Sequence, residues 1–288
     1  MASEPAVSVV VPVLNCAETI GGLLDSLAAQ TYSGSWEIVV ADNGSTDVSV
    51  ATVRRWEDRL PGLRVISCVD GRGSSYALNA GTRASEAPLI AYCHADDVVS
   101  PGWLEAIVGG LQRDDMTSGP IDLALLNAPE TYRWRGGTGW TRLPDWHRYL
   151  PAALGCNLAV RRDVFDKIDG FDGTMKHCGD LDFEWRAQLG GATLGFASSA
   201  VLHWRVRNSP LAFFRAHLGY GEADVHLFAR FRSEGMPRRL WPGVIRLALL
   251  LPASPLLLLR STRYRWLAGA GSAIGHVVGS YRKRVLYL

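Results

Sequence analysis

Short apolar runs and longer helical patterns alternate along the first 111 residues of the chain. Continuous β-branched runs are typical of strands buried on both faces, and an apolar period of about 3.6 residues is typical of helices packed over them. The runs predict strands at residues 7–13, 36–42, 63–69 and 88–94. The periods predict helices at residues 17–30, from the turn after residue 42 to Asp58, at 74–86, and at 100–111 with Ser100 as its cap.

Repeated strand–helix units predict an α/β fold in which helices cover both faces of a parallel sheet. Ligands of such sheets bind beyond the carboxyl ends of the strands. The second half of the chain is less regular, although it still has strand and helix patterns. Strands are predicted at residues 119–127, 156–162, 193–198 and 200–204, and a helix at 180–189. Between them, residues 133–150 are rich in Trp, Arg and Gly. This composition predicts a loop, which either covers a bound substrate as a lid or forms irregular surface.

The pattern changes near residue 209 and predicts a separate helical region to the end of the chain. Residues 210–235 and 263–284 have amphipathic patterns, and they flank an intensely apolar run at 240–260. Pro252 and Pro255 interrupt that run, whereas a membrane-spanning helix needs about 20 consecutive apolar residues. The pattern therefore favours helices in the membrane interface, or a re-entrant hairpin, over a simple span. A buried helical subdomain or an oligomer interface is the alternative.

Charge is distributed unevenly, although the 288-residue chain has a net charge of only +2. Residues 235–288 contain nine basic residues and no acidic one, so the preceding residues have a net charge of −7. This asymmetry predicts contact between the C-terminal region and an anionic surface such as a membrane. Five scattered cysteines without a CxxC pair fit a reducing compartment, and the N-terminus has no secretory signal pattern. We therefore expect the protein at the cytoplasmic face of a membrane.

Acidic residues stand at the ends of the predicted strands, where nucleotide fingerprints are missing. No GxGxxG follows the first strand and the chain has no GxxxxGK[ST], which argues against a dehydrogenase or a P-loop enzyme. Asp42 follows the second strand and can accept hydrogen bonds from a base or a sugar. Asp96 follows the fourth strand and can bind Mg²⁺ or Mn²⁺, which neutralises a diphosphate. Arg72 stands in a glycine-rich entry to a helix and suits a ring or a phosphate. Alternatively, Asp96 and Asp97 only form the turn before the next helix.

Five segments in order carry a resemblance to a known family. They are "VSVVVPVLNCAETIGGLLDSLAAQTY", "EIVVADNGSTD", "GRGSSYALNAG", "PLIAYCHADDVVSPGWLEAI" and "GCNLAVRRDVFDKIDGFDGTMKHCGDLDFEWRAQLGG". Over about residues 7–207 the chain resembles the family-2 inverting glycosyltransferases, and more specifically a bacterial, membrane-associated member. The resemblance implies a GT-A fold, with a mostly parallel, Rossmann-like sheet flanked by helices. We expect a catalytic domain at residues 1–208, followed by a helical membrane-associating or oligomerising region at 209–288.

The resemblance also implies roles for residues at the donor site. It assigns nucleotide binding to Pro12, Leu14, Asp42, Arg72, His94, Ala95 and Asp96. The family's DxD motif reads His94-Ala95-Asp96 here, so Asp96 is similar to the ligand of the metal and the diphosphate. His94 replaces the acid that approaches the ribose, and a neutral imidazole can still hydrogen-bond a ribose hydroxyl. Asp97 is expected to be a structural acid of the turn.

The catalytic base of the family comes from a late Glu-Asp pair, which reads Gly179-Asp180 here. Asp180 is therefore predicted to be the base, without its usual acidic neighbour. Glu184 shares a helical face with Asp180 and is the alternative. The segment "VLHWR" resembles the one that returns a histidine to the metal, which makes His203 a predicted metal ligand; the alternative is a histidine satisfied within the core or at a sheet edge.

Together these features predict an inverting glycosyltransferase that moves a sugar from a nucleoside diphosphate sugar to an acceptor hydroxyl. The expected cofactor is a divalent cation, Mn²⁺ or Mg²⁺. The expected partners are a lipid-linked or cell-envelope glycan acceptor, a membrane surface and a second copy of the chain, but no nucleic acid. Two alternatives are a nucleotidyltransferase with a related sheet and a catalytically silent membrane adaptor with the same fold.

Overall fold

The computed structural model describes residues 4–60, 62–135, 137–207, 209–238 and 240–288. Its strands are β1 (Val7–Val13), β2 (Trp36–Asp42), β3 (Leu63–Ser67), β4 (Leu89–Tyr92), β5 (Val98–Val99), β6 (Met116–Ser118), β7 (Ile121–Asp122), β8 (Gly139–Trp140), β9 (Leu158–Arg161), β10 (Leu194–Phe196) and β11 (Leu202–His203). Within the described residues, seven of them form a large sheet in the order β10-β6-β9-β4-β1-β2-β3. A small sheet has the order β5-β11-β7-β8.

The register of the large sheet brings the predicted donor-site residues to one edge. β1 is buried and apolar along its length and pairs in parallel with both β2 and β4, which places Val13 opposite Asp42 and Val10 opposite Tyr92. The segments that follow β1, β2 and β4 therefore leave the sheet at the same edge. The sheet is mostly parallel, as predicted, but β9 runs antiparallel to both β4 and β6.

The helices are α1 (Ile20–Ala28), α2 (Ser49–Arg54), α3 (Ser74–Ala84), α4 (Trp103–Leu111), α5 (Pro129–Tyr132), α6 (Arg162–Lys167), α7 (Gly179–Leu189), α8 (Pro210–Phe231), α9 (Leu240–Leu249) and α10 (Arg260–Lys283). The prediction that Ser100 caps α4 is wrong, because the helix begins at Trp103 with Gly102 in the cap position and no side-chain cap. The N–H of Ser100 donates to Val201 at 3.0 Å, so this residue continues the pairing of the small sheet.

The predicted strand at 119–127 is also shorter than expected. Its regular pairing covers only β7, because the carboxylate of Asp122 accepts hydrogen bonds from the N–H groups of Ala124 and Leu125, each at 3.2 Å. A side-chain acceptor of this kind folds the following backbone into a turn, which ends the strand.

Helices α8 and α10 form a closely packed pair in the C-terminal region. Gly271, Gly275 and Gly279 recur every fourth residue on α10, and a Cβ added to any of them would lie 2.2 to 2.9 Å from atoms of α8. Phe213 of α8 and Tyr264 of α10 join the main apolar core, so this pair also packs against the catalytic region. Among the described residues, no helix is both long and apolar enough to cross a membrane. The predicted domain boundary falls at residue 208, which lies outside the described residues.

Candidate active site

A cavity of about 520 Å³ opens beyond the carboxyl end of β4. Its wall combines the segment after β4 with the N-terminal end of α7 and with residues of the C-terminal region. The polar residues that line it include Ser74, Ser75, His94, Asp96, Lys176, His177, Asp180, Arg207 and Tyr220. One cavity therefore contains both the predicted metal ligand, Asp96, and the predicted base, Asp180. His94 lies on the same wall.

Asp180 is held at the start of α7 by a backbone donor from another segment. Its Oδ2 accepts a hydrogen bond from the N–H of Gly155 at 2.8 Å. A Cβ added to Gly155 would lie 2.8 Å from the Cβ of Asp180, so the approach of the two segments requires glycine here. Its Oδ1 accepts a second hydrogen bond, from the N–H of Leu181 at 3.1 Å. This half-buried carboxylate is therefore held in a fixed orientation at the cavity wall.

The neighbouring position explains the missing acid of the Glu-Asp pair. A Cβ added to Gly179 would lie 2.6 Å from the hydroxyl oxygen of Ser75, which belongs to the buried side of α3. A side chain at residue 179 would displace this hydroxyl from the cavity wall. Glycine at position 179, where the family has an acid, therefore allows the close contact between α7 and Ser75 of α3.

The other acids of α7 are occupied below the cavity, and all of α7 lies in the described part of the chain. Asp182 is fully buried and binds Arg186 at 2.8 Å and Arg230 at 2.7 Å. Glu184 is also fully buried, and its Oε2 accepts a hydrogen bond from the N–H of Ala153 at 2.6 Å. Burial, together with the charge of Asp180, raises the pKa of Glu184 well above its ordinary value. Asp180 is the acid of α7 that lines the cavity.

The segment after β4 separates an accessible acid from a buried one. Asp97 is buried, and its Oδ1 accepts a hydrogen bond from the N–H of Arg205 at 2.9 Å. Burial raises the pKa of Asp97 well above its ordinary value, and the charge of Asp96 adds to the effect. Asp97 is therefore buried and hydrogen-bonded, as expected of a structural acid in this turn. Asp96 instead presents its side chain to the cavity, while its carbonyl oxygen accepts a hydrogen bond from Nε of Arg205 at 3.0 Å.

His94 lines the same cavity as the two carboxylates, in surroundings that favour its uncharged form. Burial lowers the pKa of its imidazole below the ordinary value, although the charges of Asp96 and Asp180 oppose this effect. A neutral ring offers one donor and one acceptor, which suits a hydroxyl group. Ligating atoms of His94, Asp97 and Cys156 lie within 4.8 Å of one another. Burial raises the pKa of the Cys156 thiol, so this group forms part of the floor as a neutral thiol.

The predicted cation suits Asp96 better than His203. Mg²⁺ and similar cations are commonly held by one or two carboxylates together with phosphate oxygens of the substrate, and the accessible carboxylate of Asp96 meets this requirement. His203 lies on β11, where its Nδ1 is 2.8 Å from Oδ2 of Asp122. It does not belong to the cavity wall described above, and its role as a metal ligand stays a prediction.

The remaining predicted nucleotide-binding residues lie at the same sheet edge, beside the cavity rather than in its wall. Leu14 is exposed directly after β1, and Pro12 is half-buried within that strand. Asp42 ends β2, and its Oδ1 accepts a hydrogen bond from the N–H of Ser45 at 3.1 Å. The exposed Arg72 extends from the loop before α3. Ala95, the middle residue of the HAD segment, is buried.

Asn43, which the sequence did not single out, organises the loop that carries Arg72. Its Nδ2 donates to the carbonyl oxygen of Gly71 at 2.8 Å, and its Oδ1 accepts from the N–H of Gly73 at 2.9 Å. The Asn-Gly pair after β2 was the available signal, because asparagine commonly bonds to backbone groups in turns. Asn43 thus joins the ends of β2 and β3 to the entry of α3.

The far wall of the cavity combines the Trp-rich loop at residues 133–150 with residues that the sequence did not single out. Arg207 and Tyr220 are hydrogen-bonded to each other, and burial followed by the charge of Arg207 lowers the pKa of His177. The Trp-rich loop contributes Trp140 and Trp146, whose ring centroids lie 6.0 Å apart in an edge-to-face arrangement. The C-terminal region adds Gly243, Ser272, His276, Tyr287 and Leu288. Helical periodicity predicted the helices at 210–235 and 263–284 but not which of their residues face the cavity, because that depends on tertiary packing.

The sequence is similar to those of known proteins. The family model described as "Glycosyl transferase family 2" matches residues 8–169. The chain is 30% identical over 206 residues to the "Glycosyltransferase AglE" of Haloferax volcanii, which covers 68% of this chain and 66% of that protein. It is 35% identical over 247 residues to the "Validoxylamine A glucosyltransferase" of Streptomyces hygroscopicus subsp. jinggangensis, which covers 81% of this chain and 53% of that protein. The chain thus spans about two thirds or less of the length of these relatives.

A solved structure with the same architecture is the mannosyltransferase PcManGT from Pyrobaculum calidifontis, in complex with GDP-Man and Mn²⁺. The TM-score is 0.69 at 20% sequence identity, over 98% of this chain and 88% of that chain. This similarity shows that the two chains share a fold, and the expected GT-A architecture is confirmed.

Proposed function

The chain belongs to the family 2 glycosyltransferases, and we propose that it transfers a sugar, with inversion, from a nucleoside diphosphate sugar to an acceptor hydroxyl. The observation that carries this proposal is the placement of Asp180 and Asp96 on the walls of one cavity. Asp180 has an orientation fixed by a backbone hydrogen bond, as a general base requires. Asp96 has an accessible carboxylate, as a ligand for a cation requires.

In the proposed reaction, Asp180 accepts the proton of the acceptor hydroxyl while that oxygen attacks the anomeric carbon. The attack comes from the face opposite the departing nucleoside diphosphate, so the new glycosidic bond has the inverted configuration. The N–H of Gly155 holds the carboxylate toward the acceptor. General-base assistance of this kind contributes typically about 10²–10⁴-fold in rate.

The leaving group needs compensation for its developing negative charge. A divalent cation held by Asp96 would supply that compensation as a Lewis acid when it is bound. Arg207 and Lys176 provide fixed positive charge on the same cavity. In this proposal, the ring of His94 hydrogen-bonds a hydroxyl of the ribose or the sugar, and Asp42 accepts a hydrogen bond from the base.

For the acceptor, we favour a lipid-linked or cell-envelope glycan, used at the cytoplasmic face of a membrane. The tryptophans of the far wall support a carbohydrate acceptor, because aromatic rings offer sugar rings a flat apolar face of matching size. The basic, apolar C-terminal region supports a membrane location. A second copy of the chain remains a proposed partner.

The test is turnover with a panel of UDP- and GDP-sugars, with and without Mn²⁺, against lipid-linked and soluble glycan acceptors. We expect release of a nucleoside diphosphate that depends on the acceptor and on Asp180. Release of pyrophosphate would instead identify a nucleotidyltransferase. Donor binding without turnover across the whole panel would contradict the proposal and favour a silent adaptor.

A further inference from the structure

The segment between α9 and α10 exposes several large aliphatic side chains. We call residues 249–259 the leucine hairpin. Leu251 and Leu258 are 84% and 82% exposed, and Leu249 and Leu259 are also exposed. Isolated exposed leucines are ordinary, but a contiguous group of them on a folded surface marks a site of interaction.

The hairpin is fastened to α10 through its backbone, and this arrangement keeps the leucines outward. Nε1 of Trp266 donates to the carbonyl oxygen of Leu250 at 3.1 Å, and Nε of Arg263 donates to that of Leu257 at 3.0 Å. The hydroxyl of Thr262 donates to the carbonyl oxygen of Leu256 at 2.8 Å. Because polar side chains of α10 donate hydrogen bonds to these carbonyl oxygens, the backbone that carries the exposed leucines is held in place.

An apolar stripe on α10 extends the same kind of surface. Ile274, Val277 and Tyr281 are exposed, and their spacing of three and four residues places them on one face of the helix. The glycine-rich face of α10 packs against α8, so the stripe is left to solvent. The 24-residue helix is about 36 Å long, which makes the hairpin and the stripe an extended surface.

The charges around this surface indicate what kind of partner covers it. Arg260 and Arg265 are exposed in the first turns of α10, and Lys283 and Arg284 are exposed at its other end. No acidic residue follows Glu234 in the chain. A self-complementary contact between two copies would bring these positive charges together, whereas an anionic lipid leaflet neutralises them.

We propose that the leucine hairpin inserts into one leaflet of an anionic bilayer, with the α10 stripe lying along the surface. Apolar side chains and flanking arginines are the combination that holds monotopic proteins in the membrane interface. Because Gly243 of α9 lines the catalytic cavity shortly before the hairpin, the cavity is close to the bound leaflet. If the proposed glycosyl transfer holds, this placement favours a lipid-borne acceptor over a soluble one.

The experiment is flotation of the full chain with phosphatidylcholine vesicles that contain phosphatidylglycerol, without donor or acceptor. We expect wild-type protein to float with the vesicles at low and at high salt, because insertion of leucine is insensitive to salt. The double variant L251S/L258S should bind roughly tenfold or more weakly, because it removes the apolar contact of two inserted side chains. The matched control V48S/L125S changes two residues that are each 62% exposed on the catalytic domain, and it should bind as wild type.

Failure of wild-type protein to float, or equal binding by L251S/L258S, would overturn the inference. Complete release at high salt would overturn insertion and leave only electrostatic adhesion. A concentration-dependent dimer that L251S/L258S dissociates, without vesicle binding, would assign the surface to a second copy. Vesicle binding is measured without turnover, so its outcome is independent of whether the proposed glycosyl transfer is correct.

Discussion

The carboxylate of Asp180 accepts a hydrogen bond from the backbone N–H of Gly155 at 2.8 Å. This contact joins the N-terminal end of α7 to the segment that precedes β9, two parts of the chain that are 25 residues apart. It orients the carboxylate by a rigid backbone donor, and the second oxygen, Oδ1, accepts a hydrogen bond from the N–H of Leu181 at 3.1 Å. The contact is therefore the feature on which the proposed chemistry most depends.

Replacement of Asp180 by Asn should abolish general-base assistance, because an amide cannot take the proton of the acceptor. We expect turnover to fall by about 10²–10⁴-fold, with donor affinity nearly unchanged. Steady-state kinetics and calorimetry of donor binding measure the two quantities separately. E184Q is the control four residues along the same helix, and it should retain turnover. A dead E184Q with an active D180N would show that the base is misassigned.

Replacement of Gly155 by Ala tests the contact without changing either acid. The added Cβ would lie 2.8 Å from the Cβ of Asp180, so the two segments must separate. We expect a loss of stability of about 1–3 kcal/mol, together with reduced turnover at preserved donor affinity. Urea denaturation and kinetics measure both effects. G173A is the matched control, because a Cβ at Gly173 meets nothing within 4 Å, and it should behave as wild type.

Replacement of Asp96 by Asn should remove most of the metal-dependent part of donor binding, because the amide offers the cation no anionic oxygen. Calorimetry with a nucleoside diphosphate, with and without Mn²⁺, measures this part. H203A provides the comparison within the chain. It should leave the metal dependence intact if His203 serves only Asp122, to which it is bonded at 2.8 Å. An equal loss in H203A would establish His203 as a ligand, and unchanged binding by D96N would remove Asp96 from that role.

The buried carboxyl of Glu184 should make stability depend on pH. Its pKa in the folded protein is raised well above the ordinary 4.5, mainly by burial. The folded state therefore keeps a proton that the unfolded state releases, and the free energy of unfolding falls as pH rises above 4.5. The amide of E184Q does not titrate, so the Tm of this variant relative to wild type should increase with pH. Thermal unfolding from pH 4 to pH 8 measures the difference; a constant difference would contradict the assigned pKa shift.

Local pattern was sufficient for most of the sheet and its helices. β1, β2 and β4 lie within the predicted ranges, because short runs rich in β-branched residues are typical of strands covered on both faces. Ser100 shows where local pattern fails. Its residue type suits a helix cap, but its N–H pairs with Val201 across the small sheet, a partner that no local window contains.

The sequence by itself determined the family, the order of the strands along the chain, and the acids that stand at the strand ends, because these follow from residue types at short spacing. It predicted Asp180 as the base and left Glu184, on the same helical face, as the alternative. Only the tertiary structure shows how differently the two acids are placed, since buried Glu184 accepts a hydrogen bond from the N–H of Ala153 while Asp180 lines the cavity. It also decided the antiparallel direction of β9 and the far wall contributed by α8, α10 and the Trp-rich loop. The physical reason is that periodicity states which residues share a face, whereas burial and charge depend on what the rest of the chain brings to that face.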